Sequence, residues 1–223
     1  MARREAKAKE SGKKPGGKPP KPPTAGPKAQ DQLNLTDEES RIMPVAGGGF
    51  EQAYNAQAAV DTGSLLVVAL DVTQACNDKE QGVPMLEQLA TLPDSLGQAK
   101  QLLADTGFYS ARNAGACEAR GIDPFIAVKQ DEHHPAPHER FTEPAALAAE
   151  ATPAQAMAHK LKTNASRALY ALRKQTVEPV FGIIKSVLGF RQFSLRGLKK
   201  VTGEWTLVCL AWNLKRLAVL RPL

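Results

Sequence analysis

The sequence is poor in the residues that define several protein classes. Among its 223 residues there are only three cysteines, far apart and without a CxxC pair, so a disulfide scaffold or a zinc ribbon is excluded. No apolar run approaches the roughly 20 residues of a membrane span, and the basic N-terminus lacks the apolar region of a signal peptide. Aromatic residues make up only 5%. These absences predict a cytoplasmic protein without a membrane partner, whose core is built from Ala, Leu and Val.

Acidic residues are nearly absent from one late segment. Residues 159–200 contain ten Lys or Arg and a single acid, Glu178, whereas residues 31–158 contain seven basic and nineteen acidic residues. Residues 1–30 contain nine Lys or Arg and two Glu. Such clustering of positive charge is typical of a surface that contacts a phosphate backbone. For the N-terminal segment alone, a solvated linker is an equally good interpretation.

The composition divides the chain into two regions. Residues 1–30 are rich in Lys, Pro and Gly, which predicts a disordered basic tail. Residues 31–223 form the folded domain, with an irregular Pro- and Ala-rich insertion at about 130–158. Before the first strand, TDEESRIM predicts a helical turn capped by Thr36, and Gly47-Gly48-Gly49 predicts a flexible joint.

Hydrophobic periodicity predicts an α/β fold. The strands are QAYNAQAAVD, LLVVALDVTQ, QLLAD and DPFIAV, with a hairpin turn between the first two at Asp61. Helices are predicted in PMLEQLATL, opened by Pro84, and in SARNAGACEARG, capped by Ser110 and stopped by Gly121. The alternation indicates a sheet with mixed strand directions. Three later helices follow, and in the last we expect an apolar core stripe of Trp205, Leu207, Val208, Leu210, Ala211, Leu214 and Leu217.

Two acids are candidates for chemistry. Asp105 follows the buried strand QLLA, where catalytic groups often lie in α/β sheets, although an Asp before Thr-Gly is also a common turn residue. Glu178 precedes Pro179, where it could simply complement a helix dipole. Alternatively, two carboxylates can share divalent cations and activate water for phosphoryl transfer. The residues around Glu178 would then bind the DNA, and these are Tyr170, Arg173, Lys174 and Lys185.

Several blocks, in the right order, resemble bacterial insertion-sequence transposases of the DDE type: GGGFEQAYNAQAAVD, NDKEQGVPMLEQL, LLADTGFYS and VEPVFGIIKSVLGFRQFSLRGLKKVTGEWTLVCLAWNLKRL. The resemblance covers about residues 30 to 220, and it is to the group with a Tyr-Arg-Glu-Lys signature. It implies an RNase H-like mixed sheet flanked by helices. It also implies DNA strand cleavage and transfer at a two-Mg²⁺ site, on transposon ends and target DNA, by a homodimer associated with the nucleoid.

The resemblance assigns roles residue by residue. Asp105 and Glu178 match the second and third metal-binding carboxylates, and Tyr170 and Lys185 match the signature Tyr and Lys. The signature spacing is Tyr-x2-Arg-x3-Glu-x6-Lys. Arg173 has the right distance from Tyr170, whereas Lys174 has the right distance from Glu178, so either could fill the Arg position.

The first Asp of the family has no counterpart in the sequence. It belongs on a first strand upstream of the YNAQ hairpin, and neither Asp61 nor Asp71 fits that place. We therefore expect a domain that lacks its first strand, as in the C-terminal portion of a longer transposase, with unpaired strand edges. Strand transfer would then be absent or very weak, and a non-catalytic DNA-binding remnant is the alternative function.

Other residues are assigned simpler roles. His133, His134 and His138 lie in a Pro-rich stretch without helical spacing, which favours a solvated loop over a zinc site. Cys76, Cys117 and Cys209 are expected to be small buried residues.

Overall fold

The computed structural model describes Gly26 and residues 33–45, 48–128, 142–148 and 150–221. The chain divides into two units, Met1–Leu33 and Asn34–Leu223, and every element named below lies in the second. Apart from Gly26, the predicted tail of residues 1–30 lies outside the described residues, as do residues 129–141 of the predicted insertion.

Among the residues that the structure describes, six short strands form three separate pairs. They are β1 (Arg41–Pro44), β2 (Phe50–Ala53), β3 (Asn55–Val60), β4 (Val67–Thr73), β5 (Gln101–Ala104) and β6 (Asp123–Ile126). The pairs β1–β2 and β3–β4 are antiparallel, whereas β5–β6 is parallel. Within the described part of the chain no strand joins one pair to another. The predicted mixture of strand directions is confirmed, while a continuous RNase H-like sheet stays a prediction.

Five α-helices lie in the described ranges beside the strands. They are α1 (Gly82–Leu89), α2 (Ala111–Glu118), α3 (Pro153–Lys162), α4 (Asn164–Ser186) and α5 (Leu198–Leu220). The predicted order from β3 to β6, strand, strand, helix, strand, helix, strand, is confirmed. In the ranges that the structure describes, no helix is both long and apolar enough to cross a membrane.

Local signals placed the middle elements correctly. The β3–β4 hairpin turns at Asp61, whose Oδ2 accepts hydrogen bonds from the N–H and hydroxyl of Ser64, both at 2.7 Å. The hydroxyl of Ser110 accepts the Asn113 N–H at 3.0 Å and caps α2, as predicted. Gly121 follows α2 with a φ of 70°, a conformation that glycine adopts without strain. Helix α2 thereby connects two parallel strands.

The helical turn predicted at TDEESRIM is wrong. Residues Arg41–Pro44 form β1 instead, with Met43 buried and Ile42 exposed, which is the period-two pattern of a strand. The N–H of Thr36 donates to the Asn34 side chain, so Thr36 does not begin a helix. Gly48 and Gly49, with φ of 90° and 96°, lie in the turn between β1 and β2, whereas Gly47 lies outside the described residues.

Helix boundaries in the second half also differ from the prediction. Helix α4 continues through Pro179, so the break lies at Thr163, whose hydroxyl accepts the Ser166 N–H. Residues 153–158, predicted as part of the insertion, begin α3, which Thr152 and Gln155 cap reciprocally. Helix α1 begins two residues before Pro84.

The main core lies where α4 and α5 cover the β3–β4 hairpin. Its buried members are Val67, Val72, Val180, Ile184, Val201, Trp205, Cys209 and Trp212. Trp205 is 2% exposed, and its Nε1 donates to the main-chain oxygen of Gln57 at 2.9 Å. The apolar stripe predicted for α5 is therefore only partly right, because the buried face is centred on Trp205 and Cys209. Leu207, Leu210, Leu214 and Leu217 are exposed.

Candidate active site

Asp105 is a turn residue whose carboxylate is also accessible to solvent. It follows β5 directly, and its Oδ1 accepts the Gly107 N–H at 2.9 Å, which caps the short 3-10 turn Thr106–Phe108. It is also exposed and lines a cavity between β3 and β5. A carboxylate can hold a turn with one oxygen and offer its remaining lone pairs to a ligand. The turn therefore positions the acid at the end of the strand.

Helix α4 is fixed against the end of β5 by Tyr170. The Tyr170 hydroxyl donates to the main-chain oxygen of Ala104 at 3.1 Å, one residue before Asp105. One turn further along α4, Arg173 lines the same cavity as Asp105, with its guanidinium 5.8 Å from the Tyr170 ring centre. The structure thus brings Tyr170, Arg173 and Asp105 to one end of β5.

Glu178 is connected to this group through Arg173. Nη2 of Arg173 lies 3.4 Å from Oε1 of Glu178, and the Glu178 side chain is 57% exposed. The helix-dipole explanation for Glu178 is wrong, because α4 begins fourteen residues earlier, at Asn164. Two helical turns, about 12 Å of axis, separate Tyr170 from Glu178. The acid is therefore an exposed side chain in the middle of a helix.

The two basic candidates for the signature Arg position have different surroundings. Arg173 is 19% exposed at its side chain and contacts both Tyr170 and Glu178, whereas Lys174 is exposed. Lys185, in the last turn of α4, is exposed as well. Arg173 is thus positioned to orient the acid, and the two lysines are available to solvent and its ions.

Asp78 is a further candidate residue, which the sequence did not indicate. Its Oδ1 accepts the side-chain amides of Asn55 at 2.7 Å and Gln57 at 2.8 Å. Its Oδ2 lies 3.1 Å from the point that a Cβ would occupy at Gly107, and so does Oδ1 of Asp105. The two carboxylates therefore flank the same glycine. Only the burial of the amides that donate to Asp78 could have suggested its position beside Asp105, since Asp78 lies in a loop without a regular pattern.

Gly107 explains why the two acids can come so close. A Cβ at this position would lie 3.1 Å from an oxygen of each carboxylate, which is tighter than ordinary van der Waals contact. With any other residue here, the two carboxylate oxygens would have to shift by a few tenths of an ångström. Gly107 is therefore both a turn residue and the point where the two carboxylates approach the main chain closely.

The remaining candidates from the sequence are histidines and cysteines. His133, His134 and His138 lie outside the described residues. Burial raises the pKa of Cys117 to about 11 and that of Cys209 to about 12, so these thiols are inert core residues, as predicted. Cys76 is exposed, and its prediction is wrong. Across the described ranges, no group of three or more His, Cys, Asp or Glu side chains is close enough to hold a metal ion.

Together, the fold and the candidate site are those of an α/β domain with a carboxylate at the end of β5, next to the basic helix α4. The family model for the transposase DDE domain matches residues 30–214. The chain therefore belongs to the DDE-domain transposase family, which acts in DNA transposition. Comparisons with curated proteins and with solved structures gave no match.

Proposed function

We propose that this protein cleaves and joins DNA strands by metal-dependent phosphoryl transfer, with Asp105 and Glu178 as metal-binding carboxylates. The observation that carries the proposal is the anchoring of α4 beside Asp105. Tyr170 fixes the helix to the last carbonyl of β5, and Arg173 lines the cavity of Asp105 while contacting Glu178. Both acids are exposed, so DNA can reach them.

The donor set suits Mg²⁺. This ion takes oxygen ligands and is commonly held by one or two carboxylates, with waters and substrate phosphates completing its coordination. Asp105 and Glu178, with Asp78 adjacent to Asp105, supply carboxylates of this kind. When bound, divalent cations would activate the attacking oxygen and stabilise the leaving oxygen. Arg173 would keep the Glu178 carboxylate oriented, which favours Arg173 over Lys174 for the signature position.

Exposed cations on α4 and after it form the proposed DNA track. These are Lys174, Lys185, Arg191, Arg196, Lys199 and Lys200. Phosphate contacts by such side chains would hold DNA without reading its sequence. Lys160 does not belong to the track, because its ammonium group pairs with Asp123 and lies 3.9 Å from the Phe125 ring centre.

The test uses Asp105→Asn and Glu178→Gln. The control is Glu118→Gln, at an exposed position on α2. We measure Mn²⁺ binding by electron paramagnetic resonance, nicking of end-sequence DNA in Mg²⁺, and DNA affinity by fluorescence anisotropy. Both site variants should lose Mn²⁺ binding and nicking while retaining DNA affinity, and the control should match wild type. Unchanged Mn²⁺ binding and nicking in the site variants would refute the metal assignment.

A non-catalytic DNA-binding protein is the alternative. The observation that favours it is that no described cluster of three acidic, His or Cys ligands exists, so the site supplies fewer carboxylates than the resemblance implies. For that reason we expect weak strand transfer from this chain alone. Under the alternative, wild type binds DNA in a salt-dependent manner but shows neither nicking nor Mn²⁺ binding.

We further propose that the protein acts as a homodimer. Leu207, Leu210, Leu214 and Leu217 are 67, 51, 59 and 44% exposed on α5. Their spacing of three, four and three residues is that of a coiled-coil seam. Pairing of this seam with its copy on a second molecule would remove it from water.

The free thiols suit a reducing cytoplasm, where DNA-bound molecules would associate with the nucleoid.

A further inference from the structure

The loop between α4 and α5, residues 187–197, is anchored to the core by two aromatic side chains. The ring centre of Phe190 lies 6.1 Å from that of Trp205, and Phe193 lies 5.4 Å from Phe190. The Phe193 ring also meets Tyr54 edge to face at 6.3 Å. Aromatic pairs at such separations attract one another beyond the area that they bury. The side of the loop that faces the core is therefore packed.

An acid of α5 holds the main chain of the same loop. The carboxylate of Glu204 accepts three hydrogen bonds from it: Oε1 accepts the Ser194 N–H at 2.9 Å, and Oε2 accepts the N–H groups of Ser194 at 3.1 Å and of Leu195 at 2.9 Å. Hydrogen bonds to a charged acceptor are stronger than those between neutral groups. Glu204 therefore restricts the loop at two successive residues.

The charged side chains in and beside this loop are all basic. Between Glu178 and Glu204 the sequence contains no acid and five basic residues, namely Lys185, Arg191, Arg196, Lys199 and Lys200. All five are exposed, and none forms an ion pair with a described residue. Duplex DNA, with its high density of phosphate charge, is the partner whose chemistry matches such a cluster.

Glu204 has two effects on a DNA molecule at this surface, and they are opposite in sign. Its negative charge repels phosphates, which weakens DNA binding. Its hydrogen bonds order the loop before DNA arrives, which strengthens binding because less conformational freedom is then lost in the complex. A substitution that removes the charge and the hydrogen bonds together therefore shows which effect is larger.

We propose that Glu204 is a positioning residue, which holds residues 191–196 in the conformation that contacts the phosphate backbone of duplex DNA. This inference rests on the DNA binding of the proposed function, and it adds that the loop is formed before DNA binds. Arg191 and Arg196 contact the phosphates, whereas Glu204 acts only through the main chain of the loop.

The probe is a fluorescein-labelled DNA duplex of about 20 base pairs, roughly two helical turns, added to the full chain without divalent cations. Glu204→Gln removes the charge and one acceptor oxygen. Glu204→Asp keeps the charge but is one methylene shorter, so that it does not reach both amides. The control is Glu118→Gln, at an exposed position on α2. Fluorescence anisotropy gives the affinity at several salt concentrations, and mass spectrometry gives the hydrogen exchange of the free proteins.

Both Glu204 variants should bind DNA at least about fivefold more weakly, and residues 191–196 should exchange faster while the β3–β4 hairpin keeps its protection. The slope of log affinity against log salt concentration should not change, because the same phosphates are contacted. Arg191→Gln and Arg196→Gln should each reduce the magnitude of that slope by about 0.9, the value for one phosphate contact. The control should match wild type in every measurement.

Several results would overturn the inference. Tighter DNA binding by Glu204→Gln would show that the charge of the acid outweighs its hydrogen bonds. Unchanged exchange of the loop in both Glu204 variants would show that the loop keeps its conformation without the acid, and faster exchange of the hairpin as well would show that the acid stabilises the whole domain.

The arginine variants distinguish this inference from the proposed function. If wild type binds the duplex and both arginine variants keep its salt slope, DNA contacts another surface and only this inference is wrong. If wild type does not bind the duplex at all, the DNA binding of the proposed function is wrong as well.

Discussion

Replacing Trp205 by Phe tests whether α5 holds the β3–β4 hairpin through a specific hydrogen bond. Trp205 is 2% exposed, its ring stacks on Phe181 with centres 5.6 Å apart, and its Nε1 donates to Gln57 O. Phenylalanine keeps an aromatic ring but has no donor. The Gln57 carbonyl would then lose its partner in the core.

Two contributions set the magnitude. A buried acceptor without a partner costs about 1–3 kcal/mol. The smaller ring leaves unfilled space, at about 1 kcal/mol, a fraction of the roughly 3–5 kcal/mol of a full truncation to Ala. We therefore expect Trp205→Phe to lower the free energy of unfolding by about 2–4 kcal/mol. For a domain of this size that corresponds to a fall in Tm of roughly 5–15 °C.

The assay is urea unfolding followed by far-ultraviolet circular dichroism, since the substitution removes a fluorescent reporter. Val219→Ala is the matched control, because it lies on the same helix outside the Leu207–Leu217 seam and is 63% exposed. We expect the control to change the free energy of unfolding by no more than about 0.5 kcal/mol. If Trp205→Phe behaves like the control, the assignment of α5 as the cover of the hairpin is wrong.

Three further predictions concern charge, metal and assembly. Burial alone would raise the pKa of Asp37, but hydrogen bonds from Tyr54 and main-chain N–H groups outweigh it and hold this pKa below its ordinary 3.8. The ionised Asp37 carboxylate therefore stabilises the fold above pH 3.8, and this stabilisation is lost as the pH falls through the pKa of the folded protein. The Tm values of wild type and Asp37→Asn should then differ near neutral pH and converge in acid. A Tm difference that is constant with pH would contradict the prediction. Asp78→Asn should weaken Mn²⁺ binding by roughly 10–100-fold in spin-resonance titrations, and unchanged affinity would remove Asp78 from the site. Leu210→Lys should shift the protein to monomer in light scattering, whereas Leu96→Lys, at an exposed position outside α5, should leave any dimer intact.

Local sequence signals predicted the middle of the fold well. The turn at Asp61, the Ser110 cap and the alternation of strands and helices all depend on neighbouring residues, and the structure confirms them. The errors came where tertiary contacts decide. Residues 41–44 are a strand because β2 pairs with them, and a capping-box pattern alone could not show that partner. Pro179 favours a helix start by its local preference, although packing of Val180 and Ile184 in the core keeps α4 continuous there.

The candidate site shows the same division. The sequence identified Asp105, and the family resemblance supplied the pairing with Glu178, which the contacts around Arg173 support. Asp78 was missed because its place depends on amides from β3 more than twenty residues away. On α5, the predicted apolar stripe combined residues from the buried face and from the exposed face. The helix is apolar nearly all round, so its hydrophobic periodicity does not distinguish buried leucines from exposed ones.

The long stretch of chain between the β3–β4 hairpin and α5 has a consequence for synthesis. The side chains of Trp205, Trp212, Asn213 and Arg216 hydrogen-bond to residues of the β3–β4 hairpin that are about 150 positions earlier. During translation the hairpin therefore leaves the ribosome long before α5, which packs over it, has been synthesised. At a usual elongation rate of about 5–20 residues per second, its apolar face waits roughly 7–30 seconds for α5. A ribosome that stalls or terminates before Leu198 would release a chain with this face uncovered, a substrate for chaperones and proteases.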